Sequence, residues 1–150
     1  MKELIVLVLA AIPIFEVRAS VPLGIAIYKL SPVTTVLLSI VGSVLPVFPV
    51  LWILNNLTEH FRKIPSFDRF ISWVFARTKS KSKMIEDLEL VGLTLFIAVP
   101  LPGTGVWTGT IAAYLLGLRW LPTFFAGLIG TAIASVLVAA ATLGVINYIL

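Results

Sequence analysis

The sequence predicts an all-α integral membrane protein built from two inverted repeats. Each repeat is a re-entrant helical hairpin followed by a transmembrane helix, and a basic cytoplasmic loop with an amphipathic helix joins them. Three observations predict this class. Of the 150 residues, 59% are hydrophobic and 12% are charged, against about 45–50% apolar and about 25% charged in a soluble domain. The mean hydropathy is +1.09. Twelve of the 18 charged side chains lie between positions 59 and 89, leaving an apolar half on either side of one polar loop.

This composition excludes a water-soluble enzyme. It also excludes a disordered chain, which needs low hydrophobicity and high net charge. Cys is absent and His60 is the one histidine, so thiol chemistry and a metal cluster lack their ligands, and neither a metal nor another cofactor is expected. A net charge of +4 would suggest a nucleic-acid partner in a soluble protein. In a membrane protein it reflects basic cytoplasmic loops, and no nucleic acid is expected.

Repeat 1 covers about residues 3–57. Lys2 and the apolar run 4–15 resemble the start of a secretory signal, but Glu16, Val17 and Arg18 stand where a small-residue cleavage site would begin. The segment is therefore read as retained. Twelve helical residues cover about 18 Å, too short for a hydrocarbon core of about 30 Å. A Pro-bounded polar turn over 13–22 and a second short arm over 23–28 suggest a hairpin that enters and leaves by one face. Residues 32–54 are long enough to span despite Pro46 and Pro49.

The loop covers about residues 58–86 and carries most of the basic side chains, which places it in the cytoplasm. Lys2 and Lys29 then lie on the other side. Within the loop Phe67, Phe70, Ile71, Val74 and Phe75 recur at helical spacing, with Ser66 as N-cap and Asp68 in the first turn. Flanked by Arg69, Arg77 and Lys79, Lys81 and Lys83, this helix lies on the inner leaflet or packs on the protein's own cytoplasmic face.

Repeat 2 covers about residues 87–150. A short arm over 90–99, a turn over 100–105, a second arm over 106–118 and a span over 121–143 repeat the first arrangement. The letters also correspond weakly: Ile25, Ala26 and Tyr28 match Ile111, Ala112 and Tyr114, and Ala11, Ile12 and Pro13 match Ala98, Val99 and Pro100. One span per half inverts the second half relative to the first, a transporter architecture. A plain bundle of four to six short helices is the alternative.

Two constellations could carry chemistry. Glu16 and Arg18 are ionisable residues at membrane depth, where insertion costs at least about 2.5–3.5 kcal/mol per charge. In an extended turn their side chains point to one side. A buried carboxylate is expensive to keep ionised, so Glu16 is a candidate proton carrier, with Arg18 holding an anionic substrate group. Otherwise the pair is a solvated loop between helices. In the second turn Pro100 and Pro102 stop the incoming arm, and Gly103 and Gly105 permit close backbone approach. The following helix aims free N–H groups at the tip, and Thr104 and Thr108 add hydroxyls. This makes either an anion cradle without charged side chains or an ordinary turn.

The segments Glu16-Val17-Arg18-Ala19-Ser20-Val21-Pro22-Leu23-Gly24, Gly42-Ser43-Val44-Leu45-Pro46-Val47 and Pro100-Leu101-Pro102-Gly103-Thr104-Gly105-Val106-Trp107-Thr108-Gly109 resemble the putative small multidrug export family of prokaryotic membrane proteins. The match covers nearly the whole chain in order. That family is distantly similar to the DedA (VTT domain) superfamily, with paired re-entrant hairpins. The resemblance implies translocation of lipids, including the polyprenyl phosphate carrier of cell-wall synthesis, with proton coupling. Glu16 and Arg18 match the acidic and basic pair of the first hairpin. The arginines that DedA proteins bring from their second half have no counterpart in the 100–105 turn, where Arg119 alone is near.

The resulting expectation is a multi-pass transporter of the inner cell membrane, not an enzyme, that translocates an anionic lipid or amphiphile. Membrane lipids and a lipid or small-molecule substrate are the expected partners, and so small a chain is compatible with a homodimer. A proton-coupled exporter of small cationic drugs is the alternative, with Glu16 binding the cation. A non-transporting assembly protein is the second alternative.

Overall fold

A computed structural model of the chain describes residues 1–79 and 83–149. Among these residues the chain forms α1 (Lys2–Ala11), α2 (Glu16–Pro22), α3 (Pro32–Val44), α4 (Val47–Phe61), α5 (Pro65–Lys79), α6 (Lys83–Ala98), α7 (Val106–Leu115) and α8 (Trp120–Ile149), with no strand. The all-helical class agrees with the sequence. Several boundaries do not, and each difference has a local cause.

The first reversal is earlier and tighter than the polar stretch suggested. Ile12 leaves α1 in an extended conformation, and its carbonyl accepts the N–H groups of Phe15 (3.1 Å) and Glu16 (3.0 Å). Residues 16–22 are therefore helix rather than an extended turn. Pro22, the last residue of α2, has no N–H to offer Arg18, and the helix widens into a π-helical turn over Leu23–Ile27. The Tyr28 N–H then reaches the Leu23 carbonyl at 2.9 Å.

The expected span over 32–54 is two helices that continue to Phe61. Ser31 caps α3 by accepting the Thr34 N–H at 3.1 Å, and Pro32 fills the first helical position. Pro46 interrupts the ladder between α3 and α4. Pro49 falls in the first turn of α4, where a missing N–H costs nothing. The stretch Pro32–Phe61 remains 30 residues of mean hydropathy 2.3, and Trp120–Tyr148 is 29 residues of mean hydropathy 2.2, both long and apolar enough to cross a membrane.

Helix α5 starts at Pro65, so Ser66 sits inside the first turn and is not the N-cap. Its apolar stripe divides. Ile71 is buried and Phe67 packs on Phe61 of α4 with ring centroids 5.6 Å apart, whereas Phe70 and Trp73 are exposed. Lys81 and the side chains of Val74, Phe75, Arg77, Lys79 and Lys83 lie outside the described residues. Helix α6 begins seven residues before the expected arm over 90–99, absorbing Glu86, Asp87 and Glu89. Helix α8 extends beyond the expected 121–143 at both ends.

Helix α1 packs along α3, and α6 packs along α8. Both contacts depend on a glycine on the longer helix. A Cβ on Gly42 would overlap the Leu7 carbonyl and stand 2.8 Å from the Ala10 Cβ; one on Gly130 would stand 2.8 Å from both the Thr94 carbonyl and the Ile97 Cβ. The short helix after each reversal crosses to the other half: α2 packs on α8, and α7 packs on α4. One apolar cluster joins Val44, Val47, Leu93, Ile97, Val106, Ala113 and Ala126. A second joins Val17, Val21 and Ile25 of α2 to Ala134 and Ala139 of α8.

Gly42→Val and Gly130→Val should each destabilise the fold by about 1–3 kcal/mol through overpacking. Gly144→Ala, at a position with nothing within 4 Å, should stay within ~0.5 kcal/mol of the parent. Thermal unfolding in detergent, followed by circular dichroism, measures the difference.

Candidate functional site

The α1–α2 reversal and the 100–105 turn meet, and the two constellations singled out in the sequence form one site. Glu16 is the first residue of α2 and is only 3% exposed. Its φ of +43° lies in the left-handed region that few non-glycine residues adopt. The surroundings over-determine that conformation. Oε2 accepts Nη1–H of Arg18 at 3.1 Å, and Oε1 accepts the backbone N–H of Trp107 at 3.3 Å. The carboxylate lies so close to Gly105 that a Cβ there would occupy the same space.

Arg18 is 20% exposed and binds across the halves. Its Nη2 donates to the Thr104 carbonyl and to Thr104 Oγ1, the latter at 2.9 Å. Thr104 is fixed in turn, its hydroxyl accepting the Leu101 N–H at 3.2 Å and donating to the Val99 carbonyl at 2.6 Å. Gly103 takes a φ of +86° at the tip. Thr108 closes the turn by accepting the Gly105 N–H at 3.0 Å and donating to the Gly103 carbonyl at 2.8 Å. The first amides of α7 therefore point at a negative charge, as a helix N-terminus favours, and that charge is the chain's own Glu16.

The matched region begins at this carboxylate. Residues 16–137 match the family described as "Putative small multi-drug export protein". This chain belongs to that family. No curated protein and no solved structure matches it. Family membership and two apolar helical stretches of 29 and 30 residues make this export-family chain a membrane protein.

Beside the ion pair this membrane protein has a groove of about 510 Å³ between α2 and the C-terminal part of α8. Arg18, Pro22, Ala26 and Pro100 form one wall, and Leu137, Val138, Ala141, Thr142, Val145 and Ile146 form the other. Pro100 thus lies at the groove, while Pro102 and Gly103 are exposed at the tip of the turn. Arg119 is not part of the site: its Nε pairs with Glu86 of α6 at 3.1 Å.

The residue that sequence reasoning passed over is Trp107. Its indole Nε1–H donates to the Ala11 carbonyl at 3.2 Å while its backbone N–H serves Glu16, so it ties both sides of the first reversal to α7. The signal was its position two residues after Gly105, within the segment that carries the family resemblance.

Gly105→Ala should drive the Glu16 carboxylate off the α7 terminus and destabilise the protein by about 2 kcal/mol or more, on the scale of a broken buried network. Gly92→Ala, where nothing lies within 4 Å, should be neutral or stabilising by up to ~1 kcal/mol. Paired unfolding curves in one detergent decide between them.

Proposed function

We propose that this protein exports small amphiphilic molecules across the inner cell membrane, coupled to protons exchanged at Glu16. The observation that carries the reading is the buried carboxylate at the meeting point of the two halves, with Arg18 beside it and the α7 amides in front of it. Its charge state controls how firmly the halves are tied. When ionised, Glu16 holds both Arg18 and the start of α7. When protonated, it gives up the ion pair, and Arg18 is left with Thr104 and whatever anionic group the groove admits. A single proton thus changes both the substrate site and the contact between halves, which alternating access requires. The family's description as an export protein supports the same reading.

The proposed topology has two inverted repeats with re-entrant hairpins. Its support is the pair of glycine contacts, in which Gly42 against Leu7 and Ala10 recurs about 87 positions later as Gly130 against Thr94 and Ile97. Helices α1 and α7 have 10 residues each, about 15 Å of helix, half of a hydrocarbon core. The loop between α4 and α6 is cytoplasmic on this reading, because basic side chains concentrate there.

A second reading has its own observation. An apolar groove with a guanidinium at one end suits an anionic lipid better than a cationic drug. Substrate charge separates the two.

In proteoliposomes with an imposed pH gradient, Glu16→Gln should abolish the pH dependence of export while the protein remains folded. Arg18→Gln should slow an anionic amphiphile by about tenfold or more, the scale of one lost charge-assisted interaction, and leave a lipophilic cation unimpaired. Transport of both substrates unchanged in both variants would contradict the proposal.

A further inference from the structure

The mechanism above needs a route for protons to a carboxylate that is 3% exposed. Helix α3 carries Thr35, Ser39 and Ser43 at i, i+4 and i+8, each 0% exposed. Helix α2 and its π-helical continuation carry Glu16, Ser20 and Gly24 at the same spacing. The two rows meet antiparallel. Ser20 Oγ donates to Ser39 Oγ at 2.7 Å, and a Cβ on Gly24 would overlap the Thr35 side chain. The next residue of the α3 row, Ser43, donates its hydroxyl to the Ala10 carbonyl at 3.1 Å, two residues before Ile12, whose carbonyl accepts the Glu16 N–H at 3.0 Å.

A second observation comes from α8, which packs on both α2 and α3. Thr131 and Ser135 are 1% and 0% exposed, and among the described residues their hydroxyl oxygens have no hydrogen-bond partner. Thr123 and Thr142 of the same helix behave differently, donating to the carbonyls of Arg119 and Val138 at 2.9 and 2.7 Å. Buried hydroxyls without partners are costly in an apolar interior, and ordered water is the usual remedy. Thr131 is three residues from Ala134 and Ser135 four from Ala139, and both alanines cluster with Val17, Val21 and Ile25 of α2, which sets the two hydroxyls on the face of α8 turned towards α2.

The row also has a mouth. Thr35 Oγ1 donates to the Ser31 carbonyl at 2.9 Å, and Ser31 and Thr34 are exposed. This end of the 30-residue stretch Pro32–Phe61 is the one farthest from the charged loop. Lys2 marks the same end, its Nζ donating to the Tyr28 carbonyl at 3.2 Å.

We infer that this column of buried hydroxyls, with water held at Thr131 and Ser135, conducts protons between Glu16 and the membrane face opposite the charged loop. A hydronium ion at the mouth gives its proton to the first oxygen of the column, and each hydroxyl or water passes its own proton onward. The Glu16 carboxylate ends as the carboxylic acid, every relay group ends neutral, and no electron moves. Arg18 is the charged group against Glu16; α1, α3, α7 and α8 bring no other among the described residues. The inference rests on the proposed role of Glu16 and adds the side from which its proton comes.

The test is infrared spectroscopy of the full chain in lipid vesicles. The carboxylic C=O band of Glu16, identified by its loss in Glu16→Gln, is followed after transfer into D2O. Thr35→Val with Ser39→Ala should slow its deuteration by about tenfold or more. Thr131→Val, which keeps the side-chain volume and removes an unpartnered hydroxyl, should slow it as well without loss of thermal stability. Deuteration at the parent rate in both variants would overturn the column, since hydroxyls that serve packing alone leave exchange untouched. A Glu16 band absent at every pH at which the protein stays folded would overturn it too. The measurement needs no substrate, so a parent protein that exchanges through the column but exports nothing overturns the export reading and keeps the column.

Discussion

A buried carboxylate and the part-buried guanidinium beside it must be neutralised from several directions, and here those directions come from both halves of the chain. Glu16 and Arg18 are two residues apart on α2, yet most of their remaining partners lie near position 105: the Thr104 carbonyl and hydroxyl, and the Trp107 amide. A charge taken out of water costs several kcal/mol unless it is paired and hydrogen-bonded. The fold answers that requirement by pressing the first reversal against the second turn. The left-handed backbone of Glu16, the absent side chain of Gly105 and the sharp 100–105 turn are consequences of that meeting.

The rest of the packing serves the same end. Helices α1 and α6 lie close to α3 and α8 because Gly42 and Gly130 let backbone approach backbone, and this fixes where each reversal can sit. Association inside a bilayer depends on such close contacts and on interhelical hydrogen bonds more than on burial from water. Buried hydroxyls accordingly lie beside the aliphatic cluster of the α2–α3–α8 junction, and aliphatic residues fill the cluster around Ile97 and Val106. Arg18 stands between the two environments, with Glu16 and Thr104 on one side and the apolar groove on the other.

Much of this was legible in the sequence. Composition and the confinement of charge to one loop gave the class, and the family resemblance rested on the residues that build the site. Glu16, Arg18, Thr104, Gly105 and Thr108 were singled out, and they come together. What sequence could not supply was the third dimension of the two turns. An extended turn was expected to point Glu16 and Arg18 to one side. A positive φ at Glu16 and a long guanidinium arm bring the pair together at the start of a helix instead. The amides at the start of α7 were legible as an anion site. That the anion is the chain's own carboxylate, from 91 positions away, depends on tertiary contact that no local pattern encodes. Pro46 was visible but read as tolerated within one span, because a single proline does not reveal whether the helix bends or breaks.

The central claim is that Glu16 and Arg18 act as one buried unit at the joint. A thermodynamic double-mutant cycle with Glu16→Gln, Arg18→Gln and the combined variant, measured by unfolding in a single detergent, tests it most directly. Each single substitution leaves a buried charge without its partner, whereas the double substitution leaves none, so a coupling energy of about 1–3 kcal/mol is predicted. Single effects that add to the double effect within ~0.3 kcal/mol would contradict the claim and return the two side chains to the status of independent, solvated residues.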